Sequence, residues 1–243
     1  MSSKKIIFFI VEGASDETAV ANALEKIFKK NQISVQITEG DITSDIGTTP
    51  QNIKSKIVEQ IKKQFKPPTF TPNDFIEVVQ LVDMDGVFID DSKVVYEEVD
   101  KLYYGSDSIK CKDRDATIKR NKKKVANLKA LINLKKVWRT IPYSVYFFSS
   151  NLDHVLHDDS NLKDDKKTDM AWKFAKKYEN DIKGFMEFFS NEEYAVKGTY
   201  DETWNFITAD SNSLKRFTNF HLLFSEQSKN KTNECISNEY LNV

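Results

Sequence analysis

Three acidic residues of this chain follow directly on apolar runs. Glu12 comes after Ile6–Val11, and Asp83 and Asp85 come after Ile76–Val82. Two carboxylates on alternate residues, with a third acid on another strand, suit Mg²⁺, because this ion prefers oxygen ligands and usually takes one or two carboxylates plus a substrate phosphate. Without a cation, three acids at one site would repel one another. The pattern indicates a site for Mg²⁺, or Mn²⁺, which would polarise a phosphoryl oxygen and could activate water.

Four segments have the composition of β-strands and would position these acids. They are Ile6–Val11, Gln32–Thr38, Ile76–Val82 and Tyr143–Ser149. Apolar residues at helical spacing separate the first three, which predicts an α/β fold: a Rossmann-like parallel sheet of about four strands flanked by helices. Ligands of such sheets bind at the carboxyl ends of the strands. Glu12 and Asp83 should therefore face the same edge of the sheet.

Three helices are expected among these strands. The first opens at Ser15, which can cap it, and runs through to Lys30. The second starts at Thr49-Pro50, and Pro67-Pro68 ends it. A third is expected around Lys93–Leu102.

The chain is expected to divide into two regions. An α/β domain covers residues 1–160, with a basic helical insertion near 106–140, and a helical C-terminal region covers 161–243 and packs on it. From Asp165 onward the aromatic residues recur at helical spacing, which predicts that they form core between helices. The stretch Ser225–Asn238 is polar and is expected to be frayed.

A basic run lies between the third and fourth predicted strands. Residues 110–139 hold twelve Lys or Arg against two Asp, a net charge of +10. Its densest part contains Lys119, Arg120, Lys122, Lys123 and Lys124. Such a run can bind a nucleic-acid phosphate backbone. The alternative is a solvated helix face, which is the usual role of charge runs.

Further polar residues lie near the ends of the predicted strands. Asp153 follows the fourth strand closely, and this position makes it a candidate metal ligand. His154 and His157 are candidate proton shuttles, with surface or helix-capping roles as the alternative. Glu39-Gly40-Asp41 could add a carboxylate, but a simple turn is favoured.

Composition excludes several classes of protein. The 243 residues are 40% hydrophobic and 30% charged, with a formal net charge of −1, as in globular proteins. No segment approaches the roughly 18 apolar residues of a membrane span, and Glu12 and Asp16 interrupt the N-terminal apolar run, so neither a membrane partner nor a signal peptide is expected. Cys111 and Cys235 form no CxxC pair, which favours a reducing, cytoplasmic setting without zinc or disulfides.

Two motifs resemble the signatures of the TOPRIM family, which includes primases, type II and IA topoisomerases and OLD-type nucleases. They are the segments Ile10–Glu17 and Val82–Gly86. The Glu-Gly-x-Ser-Asp-Glu form is most similar to stand-alone, OLD-like members, including the RloB-like and AriB-like defence nucleases of bacteria. Ser149–His154 is weakly similar to the family's later polar segment. The resemblance covers about the first 155 residues. The chain departs from full OLD proteins in having no Walker A motif, and it has no room for the other domains of a topoisomerase or primase.

The resemblance implies a Mg²⁺-dependent nuclease acting on DNA or RNA. Asp83 and Asp85 would hold Mg²⁺, Glu12 would act as general acid/base or metal ligand, and Asp16 would support a second metal. The implied setting is phage defence, with a separate ATPase or another defence-complex subunit as partner and a homo-oligomer as a further possibility. Two other hypotheses stay open: a catalytically silent, regulatory TOPRIM-fold protein, and an unrelated doubly wound domain whose acids are loop residues.

Overall fold

The computed structural model describes residues 5–29, 33–65 and 69–225. Several boundaries expected from the sequence lie outside these ranges. They are the helix end at Lys30, the strand start at Gln32, the stop at Pro67-Pro68 and the polar stretch beyond Ser225. Cys235 also lies outside the described residues.

The described ranges contain eight strands and seven α-helices. The strands are β1 (Ile6–Val11), β2 (Ser34–Glu39), β3 (Phe75–Asp83), β4 (Val94–Tyr96), β5 (Tyr103–Tyr104), β6 (Ile109–Cys111), β7 (Lys136–Val137) and β8 (Ile141–Phe148). The helices are α1 (Ala14–Lys29), α2 (Ile53–Gln64), α3 (Arg114–Asn133), α4 (Leu152–His157), α5 (Asp164–Lys177), α6 (Ile182–Phe189) and α7 (Tyr200–Ile207).

The main sheet has the strand order β2-β1-β3-β8-β7. Its first four strands are parallel, and the two-residue β7 pairs antiparallel with β8. Strand β1 is apolar throughout because both of its faces are covered. Its side chains at 7, 9 and 11 join a core with α1, α5 and α6, whereas those at 6, 8 and 10 join a core with α2 and α3. The predicted Rossmann-like α/β sheet is confirmed.

The starts of the first two helices differ from the sequence predictions. Helix α1 begins at Ala14, so Ser15 lies in its first turn and does not cap it. Instead, the Asp16 carboxylate accepts a hydrogen bond from the Gly13 N–H at 2.9 Å, which satisfies a backbone donor at the helix start. Helix α2 begins at Ile53, because the preceding residues form a turn in which the Thr49 N–H donates to Asn52.

The prediction of a helix around Lys93–Leu102 is wrong. This segment forms β4, and β4 pairs in parallel with β6 in a small three-stranded sheet of order β4-β6-β5. Val94 is buried opposite Ile109, and such β-branched residues suit a strand better than a helix. Because the pairing joins residues about fifteen positions apart, the local spacing of apolar residues did not report it.

The C-terminal helices pack on both faces of the main sheet: α5 and α6 join the core on the α1 side, and α7 joins the core on the α2 side. The Phe220 ring lies 5.5 Å from the Phe148 ring of β8 and 4.8 Å from the Phe189 ring of α6. The expected aromatic core is confirmed for Phe174, Phe185, Trp204 and Phe224, which are buried, whereas Trp172 and Phe206 are exposed. Among the described helices, we find none with the length and apolar character needed to cross a bilayer.

Candidate functional site

Glu12 and Asp83 lie side by side at the carboxyl edge of the main sheet. Strand β1 ends just before Glu12, and its neighbour β3 ends at Asp83. The Asp83 backbone N–H donates to Glu12 Oε1 at 3.1 Å. The Asp83 carboxylate in turn accepts from the Leu152 N–H at 3.0 Å, at the start of α4. The prediction that these two acids share an edge is confirmed.

Asp85 lies at the same edge but faces the basic helix α3. Its backbone is left-handed (φ 48°), and its N–H donates to the Ser150 carbonyl at 2.7 Å. The next residue, Gly86, is also left-handed, and a Cβ there would lie 2.2 Å from Leu214, so glycine is required at this turn. The turn directs the Asp85 carboxylate away from Asp83 and towards α3.

Two cations of α3 bind the Asp85 carboxylate. Lys124 Nζ and Arg120 Nη2 each lie 2.6 Å from Asp85 Oδ2, and the Tyr104 hydroxyl donates to Oδ1 at 3.2 Å. Lys124 also lies 3.3 Å from Glu12 Oε1. Arg120 and Lys124 are four residues apart, which places them on one side of the helix. Lys124 therefore connects the acids that follow β1 and β3.

Lys124 is fully buried, with 0% of its side chain exposed. A buried ammonium group is strongly destabilised unless it is paired and hydrogen-bonded. Here the negative charges of Asp85 and Glu12 outweigh burial, so the pKa of Lys124 is raised and the side chain stays charged. The same charges raise the pKa of Arg120 against the effect of burial.

The pKa values of the acids divide them into two groups. Burial raises the pKa of Glu12 to about 8, with contributions from Asp41, Asp85 and Asp16 and an opposing one from Lys124. Burial and the charge of Glu12 raise the pKa of Asp83 well above its usual range. Burial acts on Asp85 too, but Lys124 and Arg120 outweigh it and hold its pKa below the usual value.

Asp16 and Asp153 form the outer part of the site. Burial raises the pKa of Asp16 to about 6, and the charge of Asp153 adds to this effect. Asp153 lies in α4, not at the strand end itself, and is buried beside Lys167, whose Nζ is 3.5 Å from Asp153 Oδ2. Burial raises the pKa of Asp153, and Lys167 opposes this.

Carboxylate oxygens remain free at the edge. Counting only partners in the described ranges, hydrogen bonds engage one oxygen each of Glu12, Asp83 and Asp16, which leaves Glu12 Oε2, Asp83 Oδ2 and Asp16 Oδ1. These are hard oxygen donors of the type that Mg²⁺ selects. In the part of the chain that the structure describes, no group of three or more His, Cys, Asp or Glu side chains is arranged to hold a metal ion. The chemistry of these oxygens fits the ion, and Glu12, whose other oxygen lies 3.3 Å from Lys124 Nζ, already shares its charge with that lysine.

The basic residues named from the sequence lie in different environments. Arg120 and Lys124 point inward to the acids. Lys122 pairs with Asp91 at 2.6 Å, and Lys123 donates to the Asp45 carbonyl at 2.6 Å. Lys119 is exposed, and no residue of the described ranges pairs with its charge.

The remaining candidates lie at the margin of the site. His154 and His157 belong to α4, and burial lowers the pKa of both. His154 Nδ1 and His157 Nε2 are buried without a hydrogen-bond partner in the described ranges. The Asp41 carboxylate accepts from the Thr43 hydroxyl at 2.8 Å and the Ser44 N–H at 2.9 Å, as in a turn. Glu39 is the last residue of β2 and the turn follows at residues 42–44, while the charge of Asp41 raises the pKa of Glu12.

Sequence reasoning missed three contributors to the site. Tyr104 reaches Asp85 from β5, Thr43 lies 3.5 Å from Glu12 Oε1, and Lys167 pairs with Asp153. Each is far from its partner along the chain, so no local motif marks it. The i, i+4 spacing of Arg120 and Lys124 was a usable signal, since it predicts that both cations share one helix face.

The resemblance of this chain to the TOPRIM family rests on its motifs alone, around Glu12, Asp83 and Asp85. Searches against protein-family models, curated proteins and solved structures each gave no match.

Proposed function

We propose that this chain is a metal-dependent phosphoryl-transfer enzyme, and specifically a nuclease that cleaves DNA or RNA. One observation carries the proposal: Glu12 and Asp83 meet at neighbouring strand ends, the charge of Asp16 acts on both, and each of the three keeps a carboxylate oxygen without a hydrogen-bond partner in the described ranges. Burial raises the pKa of all three. Their ionised forms lack sufficient compensating charge, and a divalent cation would supply it.

The residues of the site have distinct roles in this proposal. Glu12, Asp83 and Asp16 would hold Mg²⁺ or Mn²⁺, with Asp153 as an outer carboxylate. When bound, the ion polarises a phosphoryl oxygen and favours attack by water. Asp85 holds Lys124 and Arg120 in place, a different role from the metal ligand expected from the motif.

Acid–base and substrate-binding roles fall to other groups of the same edge. With a pKa near 8, the Glu12 carboxyl can accept or release a proton near neutral pH, as a general acid/base must. Arg120 is partly exposed and can donate to a phosphate oxygen, and the exposed Lys119 one position earlier can attract the backbone. A cytoplasmic role in phage defence beside a separate ATPase belongs to the same proposal and rests on the motif resemblance.

A second candidate is a TOPRIM-fold binding or regulatory protein without turnover. The observation that favours it is Lys124, which already supplies a buried positive charge to Glu12 and Asp85. In this case the acids and Lys124 form a closed ion-pair network, and a partner protein controls the chain.

A nuclease assay on DNA and tRNA with Mg²⁺ or Mn²⁺ separates the two candidates. Wild type and an exposed-acid control, Glu25→Gln, should cleave, whereas Glu12→Gln and Asp83→Asn should lose at least about 100-fold in rate, the usual contribution of a positioned acid or base. Cleavage that persists in both site variants would contradict the proposed roles. An inert wild type that binds an ATPase would favour the second candidate.

A further inference from the structure

Lys124 places its ammonium group where a bound metal cation would have to compete with it. Its ammonium lies 2.6 Å from Asp85 Oδ2 and 3.3 Å from Glu12 Oε1, between acids that follow two adjacent strands. Its side chain has no exposed surface. Because the ammonium is a compact charge on a flexible four-carbon stem, it can move without moving the helix that carries it.

The backbone around Lys124 is fixed on both sides. At the start of α3, Arg114 Nε donates to the Val94 carbonyl at 2.7 Å. One turn beyond Lys124, Asn127 Nδ2 donates to the Thr43 carbonyl at 2.9 Å. Helix α3 is therefore anchored on both sides of Lys124, and the lysine side chain is the part that can move.

Asp85 does not depend on Lys124 alone for compensation. Arg120 binds the same oxygen at 2.6 Å, and Tyr104 donates to the other oxygen. If Lys124 left, Asp85 would keep one cation and one hydroxyl donor. Glu12 would lose its one cationic partner among the described residues and would gain a free oxygen.

We propose that Lys124 is a tethered cation that competes with a divalent metal ion for Glu12, so that metal binding requires the lysine to withdraw. This inference rests on the proposed function. A divalent ion placed on Glu12 would bring two further positive charges close to the ammonium in a buried setting, where repulsion is strong. The Lys124 ammonium and a metal ion therefore exclude each other at the Glu12 carboxylate.

The first test uses the wild-type protein and amine acylation followed by peptide mass spectrometry. In chelator, the buried Lys124 should resist acylation, while the exposed Lys129 of the same helix reacts. Saturation with Mn²⁺ should raise acylation at Lys124 severalfold and leave Lys129 unchanged. Lys124 that stays protected while calorimetry detects bound Mn²⁺ would overturn the inference.

The second test compares Lys124→Met with Lys129→Met by calorimetry with Mn²⁺. Both variants lose one positive charge from α3, but only the first removes the competing cation. Lys124→Met should bind Mn²⁺ at least about tenfold more tightly than wild type, because a like charge at contact distance is removed. Its thermal midpoint should also rise more on adding Mn²⁺ than that of Lys129→Met.

The outcomes separate this inference from the proposed function. Unchanged or weaker Mn²⁺ binding by Lys124→Met, with normal binding by wild type, overturns the competition and leaves the metal site intact. Absence of Mn²⁺ binding in wild type and in both variants overturns the metal site as well. If Lys124→Met does not fold, the acylation of wild-type Lys124 decides the matter.

Discussion

Glu12 is a residue through which pH should act on the stability of the metal-free protein. Its pKa is about 8 in the fold against an ordinary value of 4.5, so the folded state holds a proton that the unfolded state releases between these values. The contribution of Glu12 to stability is then fully present below pH 4.5 and is lost as the pH rises towards 8. Asp16, with a pKa of about 6 against 3.8, acts in the same direction at lower pH.

We expect the free energy of unfolding of the metal-free protein to decrease from pH 5 to pH 8. Glu12→Gln removes one of the groups that titrate in that window, so the stability of the variant should decrease less over the same range. Urea denaturation at four pH values in chelator measures both slopes. Equal slopes in wild type and Glu12→Gln would mean that Glu12 does not hold its proton in the fold.

Helix α3 has two separate roles at the scale of the element. Its inner side supplies Arg120 and Lys124 to the acids, while Lys119 remains exposed. Charges on the outer side are the ones that a nucleic-acid backbone can reach without breaking the buried ion pairs. The two sides should therefore respond differently to substitution.

Replacing Lys119 by Gln should weaken binding to single-stranded nucleic acid without affecting the fold. Loss of one phosphate contact should reduce the slope of log affinity against log salt concentration by about 0.7. A salt titration by fluorescence anisotropy, in chelator to prevent cleavage, measures this. Lys173→Gln on α5 is the matched control, and an equal change in the control would show that the effect is not local to α3.

The elements that carry the acids could be predicted because their signals are local. Continuous apolar runs in the sequence predicted β1 and β3, and Glu12 and Asp83 come directly after these runs. The cationic half of the site could not be predicted in the same way. Lys124 is buried because Asp85, in a left-handed conformation, turns away from β3 towards α3. Tyr104 reaches the site through strand pairings that the local spacing of residues does not reveal.

The whole molecule rests on two cores, one on each face of the main sheet. The C-terminal region contributes Trp204 and Ile207 to the core on the α2 side. On the α1 side it contributes Phe220, whose ring is fully buried between Phe148 and Phe189. The sheet and the C-terminal region therefore share one packed interior on that side.

Phe220→Ala should destabilise the molecule by about 3–5 kcal/mol, as expected for emptying the space of a buried phenylalanine. Phe206→Ala, at a ring that is 38% exposed, should cost much less. Urea denaturation, followed by tryptophan fluorescence and far-ultraviolet circular dichroism, measures both changes. A loss confined to one probe in Phe220→Ala would show that the C-terminal region unfolds separately from the sheet.

The strand order β2-β1-β3-β8 has a consequence for access to the acids. The chain leaves β1 in one direction to reach β2, then returns across β1 to form β3 on its other side. Helices α1 and α2 consequently lie on opposite faces. The two connections diverge above the gap between β1 and β3, and in doubly wound sheets ligands bind at such a topological switch point. Glu12 and Asp83 follow the two strands that flank this point, so we expect the route to them to depend on the connectivity of the chain and to survive replacement of the acids themselves.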